Sequence, residues 1–123
     1  MNLLSVATTL TVLVFALFIV LGVRAMRSPE HAARAFGLPL DRARGEFVRV
    51  YASRNLAIVA TGVALVATGE RRALAVLLTA VCALPVFDGL LLLRQRMDSP
   101  PYGRHAVALG LLGTCTGLWW LVA

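Results

Sequence analysis

Four long apolar runs order this chain, separated by short stretches that carry most of its arginines. They extend from Leu3 to Val23, Phe47 to Thr68, Ala73 to Leu93 and His105 to Val122. A helix needs roughly 20 apolar residues to cross the hydrocarbon of a bilayer. Lipid offers no partner for backbone N–H and C=O groups, so each run must be helical. The pattern predicts an all-α fold, a transmembrane four-helix bundle forming a single membrane domain over 1–123. The first run follows only Met1 and Asn2, lacks a basic leader and exceeds the usual signal-peptide length, so it reads as a retained span.

The first connector has a pattern of its own. "RSPEHAARAFGLP" supplies Ser28 as N-cap, Pro29 at the first helical position, Glu30 in the first turn and Gly37 as terminator. It predicts a short interfacial helix over about 29–36, with Arg27 and Arg34 toward headgroups or the whole segment lidding the bundle from below. The third connector, "RQRMDSPPYGR", reads as a loop turning at Pro100 and Pro101.

Composition narrows the class. Hydrophobic residues make up 59% and charged ones 15%, too apolar a balance for an ordinary soluble domain. The net charge of +6 comes entirely from arginine and sits mainly in the connectors, which argues for positive-inside topology and against a nucleic-acid partner. The first and third connectors hold Arg24, Arg27, Arg34, Arg42, Arg44, Arg94, Arg96 and Arg104, against Arg71 and Arg72 in the second. This predicts a bacterial plasma-membrane protein with both termini outside. Trp119 and Trp120 then fall at the outer interface, as an aromatic belt would. Cys82 and Cys115 match no zinc or redox spacing and read as small buried residues. Neither histidine has a second ligand at metal spacing, so no metal and no cofactor are expected.

Two stripes of small residues predict where helices approach closely: Ala106, Gly110, Gly113 and Gly117 in the last run, and Ser53, Ala57, Ala60 and Ala64 in the second. Homo-oligomerisation through the same surfaces is open on this reading.

The second run is the unusual one. "EFVRVYASRNLAIVATG" carries Glu46, Arg49, Arg54 and Asn55. At a rise of about 1.5 Å per residue, Arg49 lies about 5 Å and Arg54 about 12 Å beyond Glu46. Arg49 can snorkel to the headgroups, whereas an arginine near the centre of a span costs roughly 2.5–3.5 kcal/mol. Asp88 in the third run lies about 8 Å from the same boundary, and His105 opens the fourth. Glu46, Tyr51, Arg54, Asn55, Asp88 and His105 therefore share the cytoplasmic half. Tyr51, Arg54 and Asn55 stand at i, i+3 and i+4, predicting an inward polar face on which Arg54 pairs with Asp88. Pro85, beside "FDG", should loosen the helix there.

The order of these features, "FGLP" with Phe36 and Gly37, the Arg54–Asn55 pair, Asp88 and then His105, resembles a group of small bacterial and fungal four-helix membrane proteins near the DoxX-like family. The resemblance implies a multi-pass four-helix protein and no particular substrate.

The expected activity is binding of a small lipophilic or amphipathic molecule in a cytoplasm-facing polar cavity formed by Tyr51, Arg54, Asn55, Asp88 and His105, with membrane lipids as partners. One alternative is a membrane-embedded isomerase or cyclase using Asp88, Glu46 or His105 as acid or base. Against it, pairing with Arg54 would make Asp88 a poor proton donor. Another is an accessory or scaffold subunit, or a small dimeric transporter.

Overall fold

The computed structural model describes residues 2–35, 42–94 and 102–123, and all its described elements are α-helices. Phe36, Gly37, Arg96 and the Pro100–Pro101 turn lie outside the described residues. Four stretches are long and apolar enough to cross a membrane: Leu3–Arg27, Glu46–Thr68, Arg71–Leu91 and Gly103–Val122. The four-helix membrane architecture expected from the apolar runs is the one observed.

Helix α1 spans Leu3–Arg27 and opens on Asn2, whose Oδ1 accepts the Ser5 backbone N–H at 2.8 Å. That bond satisfies one of the N–H groups a helix start leaves without an internal partner. At the other end, the Ser28 N–H donates to the Arg24 carbonyl at 2.8 Å, while the Ser28 carbonyl accepts from Ala32 at 3.1 Å. One residue thus closes α1 and opens α2, Pro29–Ala35. α2 packs against α1 and α3, with Ala33 buried among Ala25, Val48 and Ala52. This packing sets α2 against the bundle.

Helix α3 covers Arg42–Thr68 and ends at Gly69, whose φ of 74° is the left-handed conformation that glycine adopts without penalty. The Gly69 N–H donates to Val66 and the Glu70 N–H to Leu65, at 3.2 and 3.0 Å, so the last carbonyls of α3 are satisfied by a Schellman turn. The third span is two helices, α4 (Arg71–Val81) and α5 (Ala83–Arg94), interrupted at Cys82. The interruption lies within one turn of Pro85, which has no N–H to offer the Val81 carbonyl. Helix α6, Tyr102–Val122, completes the bundle.

α1 packs between α3 and α6, α4 and α5 pack on α6, and α3 meets α4 near their shared turn. α1 contributes Ala7, Thr11, Val14, Gly22 and Ala25 to the interior, a stripe at spacings of three, four and eight that follows the helical period. The main core joins Ala7, Val14 and Phe15 to Leu74, Leu78, Leu112, Cys115 and Trp119.

Neither small-residue stripe is the packing surface within the chain. Ser53, Ala57, Ala60 and Ala64 are exposed, and a Cβ added at Gly110, Gly113 or Gly117 would meet nothing within 4 Å. α6 turns Leu112, Cys115 and Trp119 inward instead, and α3 turns Val48, Ala52, Val59 and Gly62 inward. The close approach lies between α1 and α3, where a Cβ on Gly22 would come within 2.9 Å of Leu56 and one on Gly62 would overlap the Phe15 ring.

The tryptophans also depart from expectation. Trp119 is 3% exposed and belongs to the core; only Trp120, 52% exposed, stands where a belt residue would. Trp119 Nε1 donates to Thr11 Oγ1 at 2.7 Å, and Trp120 Nε1 donates to Thr79 Oγ1 at 3.0 Å. Each threonine hydroxyl in turn donates to the carbonyl four residues earlier, Ala7 or Ala75, at 2.8 Å. Adjacent residues of α6 thereby tie it to α1 and to α4 by the same relay.

Candidate functional site

The polar residues of the second span do not all face the same way. One residue advances the helix by about 100°. Ala52 and Val59 point into the bundle, so Arg54, two residues beyond Ala52, is turned about 200° from it and stands exposed. Tyr51 and Asn55 lie nearer the inward direction and are half-buried. Arg54 reaches back one turn, its guanidinium 5.2 Å from the centre of the Tyr51 ring, within cation–π range.

The expected Arg54–Asp88 ion pair is not formed. Asp88 Oδ2 instead accepts the Tyr51 hydroxyl at 3.3 Å, longer than the 2.5–3.0 Å usual between hydroxyl and carboxylate. Arg54 and His105 are near enough for their charges to act on Asp88 without Arg54 bonding to it. The reason lies in the backbones: α3 and α5 make no close approach along their length. A tyrosine directed inward bridges that gap, whereas an arginine on the flank does not.

Behind Tyr51 and Asp88 lies a cavity of about 540 Å³, bounded by α1, α2, α3, the broken third span and α6. Its deep part is apolar, walled by residues such as Phe15, Phe18, Ile58, Leu77, Val81 and Leu112. Polar groups gather at one end: Tyr51, Asn55, Asp88 and His105, joined by Arg24, Arg27, His31 and Arg104. Arg104 Nη1 donates to the Ala35 carbonyl at 2.7 Å, so the first turn of α6 holds the end of α2. Pro85 is buried in the cavity wall, within one turn of the break between α4 and α5.

Of the residues expected to form a site, Tyr51, Asn55, Asp88 and His105 line this cavity. Arg54 borders it only through Tyr51. Glu46 is outside it, exposed and bonded at 2.7 Å to Arg49 one turn on. Arg24, Arg27 and Arg104 also line the cavity, although the sequence marks Arg24 and Arg104 only as topology signals and Arg27 also as a headgroup contact. Their position at span ends facing the short lid helix was the available clue.

A family model described as a domain of unknown function (DUF4267) matches residues 16–120. The chain belongs to this family. The DUF4267 match runs from within α1 almost to the end of α6, so it includes every described lining residue of the cavity except Phe15. It supports an uncharacterised membrane family and carries no link to DoxX-like proteins. No curated protein and no solved structure matches the chain.

Proposed function

We propose that this DUF4267 protein is a multi-pass plasma-membrane protein, with both termini outside, that binds a small lipophilic or amphipathic molecule through the cytoplasmic end of its bundle. The observation that carries this reading is the two-part lining of the cavity, apolar in its depth and polar at one end. A volume of about 540 Å³ lies within the roughly 300–1,000 Å³ typical of small-molecule sites. Structural helix packing alone gives no reason to leave such a space, because interiors otherwise close to crystal-like density.

The test is to fill the cavity. Ala108 borders it from α6 and is only partly buried. Ala108→Trp should yield a folded, monodisperse protein that no longer retains the lipid or metabolite co-purifying with the natural chain, as read by native mass spectrometry. Equal retention by natural and filled proteins would refute the reading.

A second reading draws support from Asp88. With no ion pair to Arg54, the objection to Asp88 as a proton-transfer group loses its basis. A carboxylate beside a tyrosine hydroxyl and facing a histidine is a group that suits acid–base chemistry on a bound molecule. Turnover of the co-purified compound that is lost in Asp88→Asn, with binding kept, would favour an isomerase or cyclase over a binding protein.

A further inference from the structure

We infer that the cavity takes a single-chain amphiphile with an anionic head, the head resting at the arginine end and the chain filling the apolar depth. The inference rests on the cavity being a binding site and names the class of its ligand.

Three arginines border one end of the space. Arg24 and Arg27 are three residues apart in the last turn of α1 and share a face, and Arg104 comes from the opening turn of α6. Among the described residues none of the three forms an ion pair. Glu46 is held by Arg49, and Asp88 by Tyr51. Among the described residues Asp88 is the one carboxylate in the cavity wall, and it is already faced by His105 and Arg54. Three described arginines against that one engaged acid favour an anion. Arg104 commits one of the five donors of its guanidinium to the Ala35 carbonyl, so its fork keeps donors for a planar or tetrahedral head.

The remaining geometry suits a chain. Beyond the charged end, the lining is aromatic and aliphatic from Phe18 up to Leu112, without a second polar group at its far end to receive another head. A membrane amphiphile also has a route. α3 and α5 stand apart, and the hydrogen bond that crosses between them is the long one from Tyr51 to Asp88.

A carboxylate and a phosphate monoester both satisfy this chemistry, and a free anion satisfies half of it. The full chain in phosphatidylcholine nanodiscs would be titrated with laurate, dodecyl phosphate, dodecanol, dodecyltrimethylammonium and inorganic phosphate, each radiolabelled and measured by equilibrium retention. Charge-assisted hydrogen bonds of roughly 1.5–3 kcal/mol predict that laurate or dodecyl phosphate binds at least about tenfold tighter than dodecanol or the cation. Arg24→Gln with Arg27→Gln should erase that preference while dodecanol binding is unchanged, and the corresponding double lysine variant should keep it.

Equal binding of dodecanol and laurate would overturn the anionic head and leave the binding function standing. Inorganic phosphate binding as tightly as dodecyl phosphate would overturn the chain. Retention of no alkyl probe, together with no effect of Ala108→Trp on co-purified material, would remove both this inference and the function beneath it.

Discussion

The two ends of this bundle are built by opposite rules. At the end holding Thr11, Thr79 and the two tryptophans, α6 packs against both α1 and α4 and each indole N–H has a threonine acceptor. At the arginine end α3 and α5 stand apart, a cavity opens, and a long hydrogen bond from Tyr51 to Asp88 crosses the gap. The indole–threonine bonds thus lie at one end, and the polar groups of the cavity gather at the end where packing is incomplete. Such a division is what a membrane binding protein needs. A site must exchange its occupant without loosening the whole fold, and low local packing lets a region open independently.

Substitutions can test whether the division holds. The largest loss is expected at Trp119. Trp119→Ala removes a buried indole from the core and its bond to Thr11, and aromatic-to-alanine changes in cores cost roughly 3–5 kcal/mol. Reversible unfolding measured by steric trapping in bicelles would register it, and a loss below about 1 kcal/mol would deny this end its role as the stable half. Gly62→Val comes next. Its side chain would collide with the Phe15 ring, so overpacking of about 1–3 kcal/mol is expected, largely relieved by Phe15→Ala in the same chain. Without such relief, α1 and α3 would not meet as described.

Features that act locally along the chain could be read from pattern, and those that depend on the assembled bundle could not, for physical reasons visible at particular residues. Length and polarity alone determine that a run such as Leu3–Val23 becomes a helix across a membrane, so the spans and the lid helix were legible. The break near Pro85 was legible too, because the missing N–H acts locally. Which face of a helix turns inward was not. Gly110, Gly113 and Gly117 look like a packing face, yet Leu112, Cys115 and Trp119 fill the interior better, and both stripes satisfy helical spacing. Arg54 and Asp88 come close enough for the guanidinium charge to act on the carboxylate, as their expected depths imply. Depth, though, is a property of position along a helix, and pairing also needs azimuth and interhelical distance, which only the assembled bundle determines. The same gap hid Arg24, Arg27 and Arg104, whose charges served as topology signals until α2 folded beneath the bundle and the cavity joined them.

Smaller effects probe the two ends at the level of single hydrogen bonds. Thr11→Val keeps the shape of the core while removing the acceptor for Trp119 and the donor to Ala7. Interhelical hydrogen bonds within membranes average about 0.6 kcal/mol and reach about 1.7. Because Thr11 is wholly buried, a loss near the upper value is expected by steric trapping. Thr79→Val, at the exposed Trp120 relay, should cost less. If the two losses are equal, burial does not govern the strength of these relays.

Arg54 provides the smallest expected effect and the sharpest contrast. Were it the partner of a buried carboxylate, removing it would strand that charge at a cost of roughly 3–5 kcal/mol, comparable to losing Trp119. An exposed guanidinium resting on Tyr51 has far less to lose, about 0.5–1 kcal/mol for a cation–π contact of this kind. Arg54→Leu should therefore leave unfolding nearly unchanged, and its effect should add to that of Asp88→Asn with little coupling. A large single loss restored by Arg54→Leu with Asp88→Leu would instead mean that the two groups pair in the membrane. The Tyr51 bridge would then be displaced, and the open end of the bundle would be held by a bond as strong as those of the closed one.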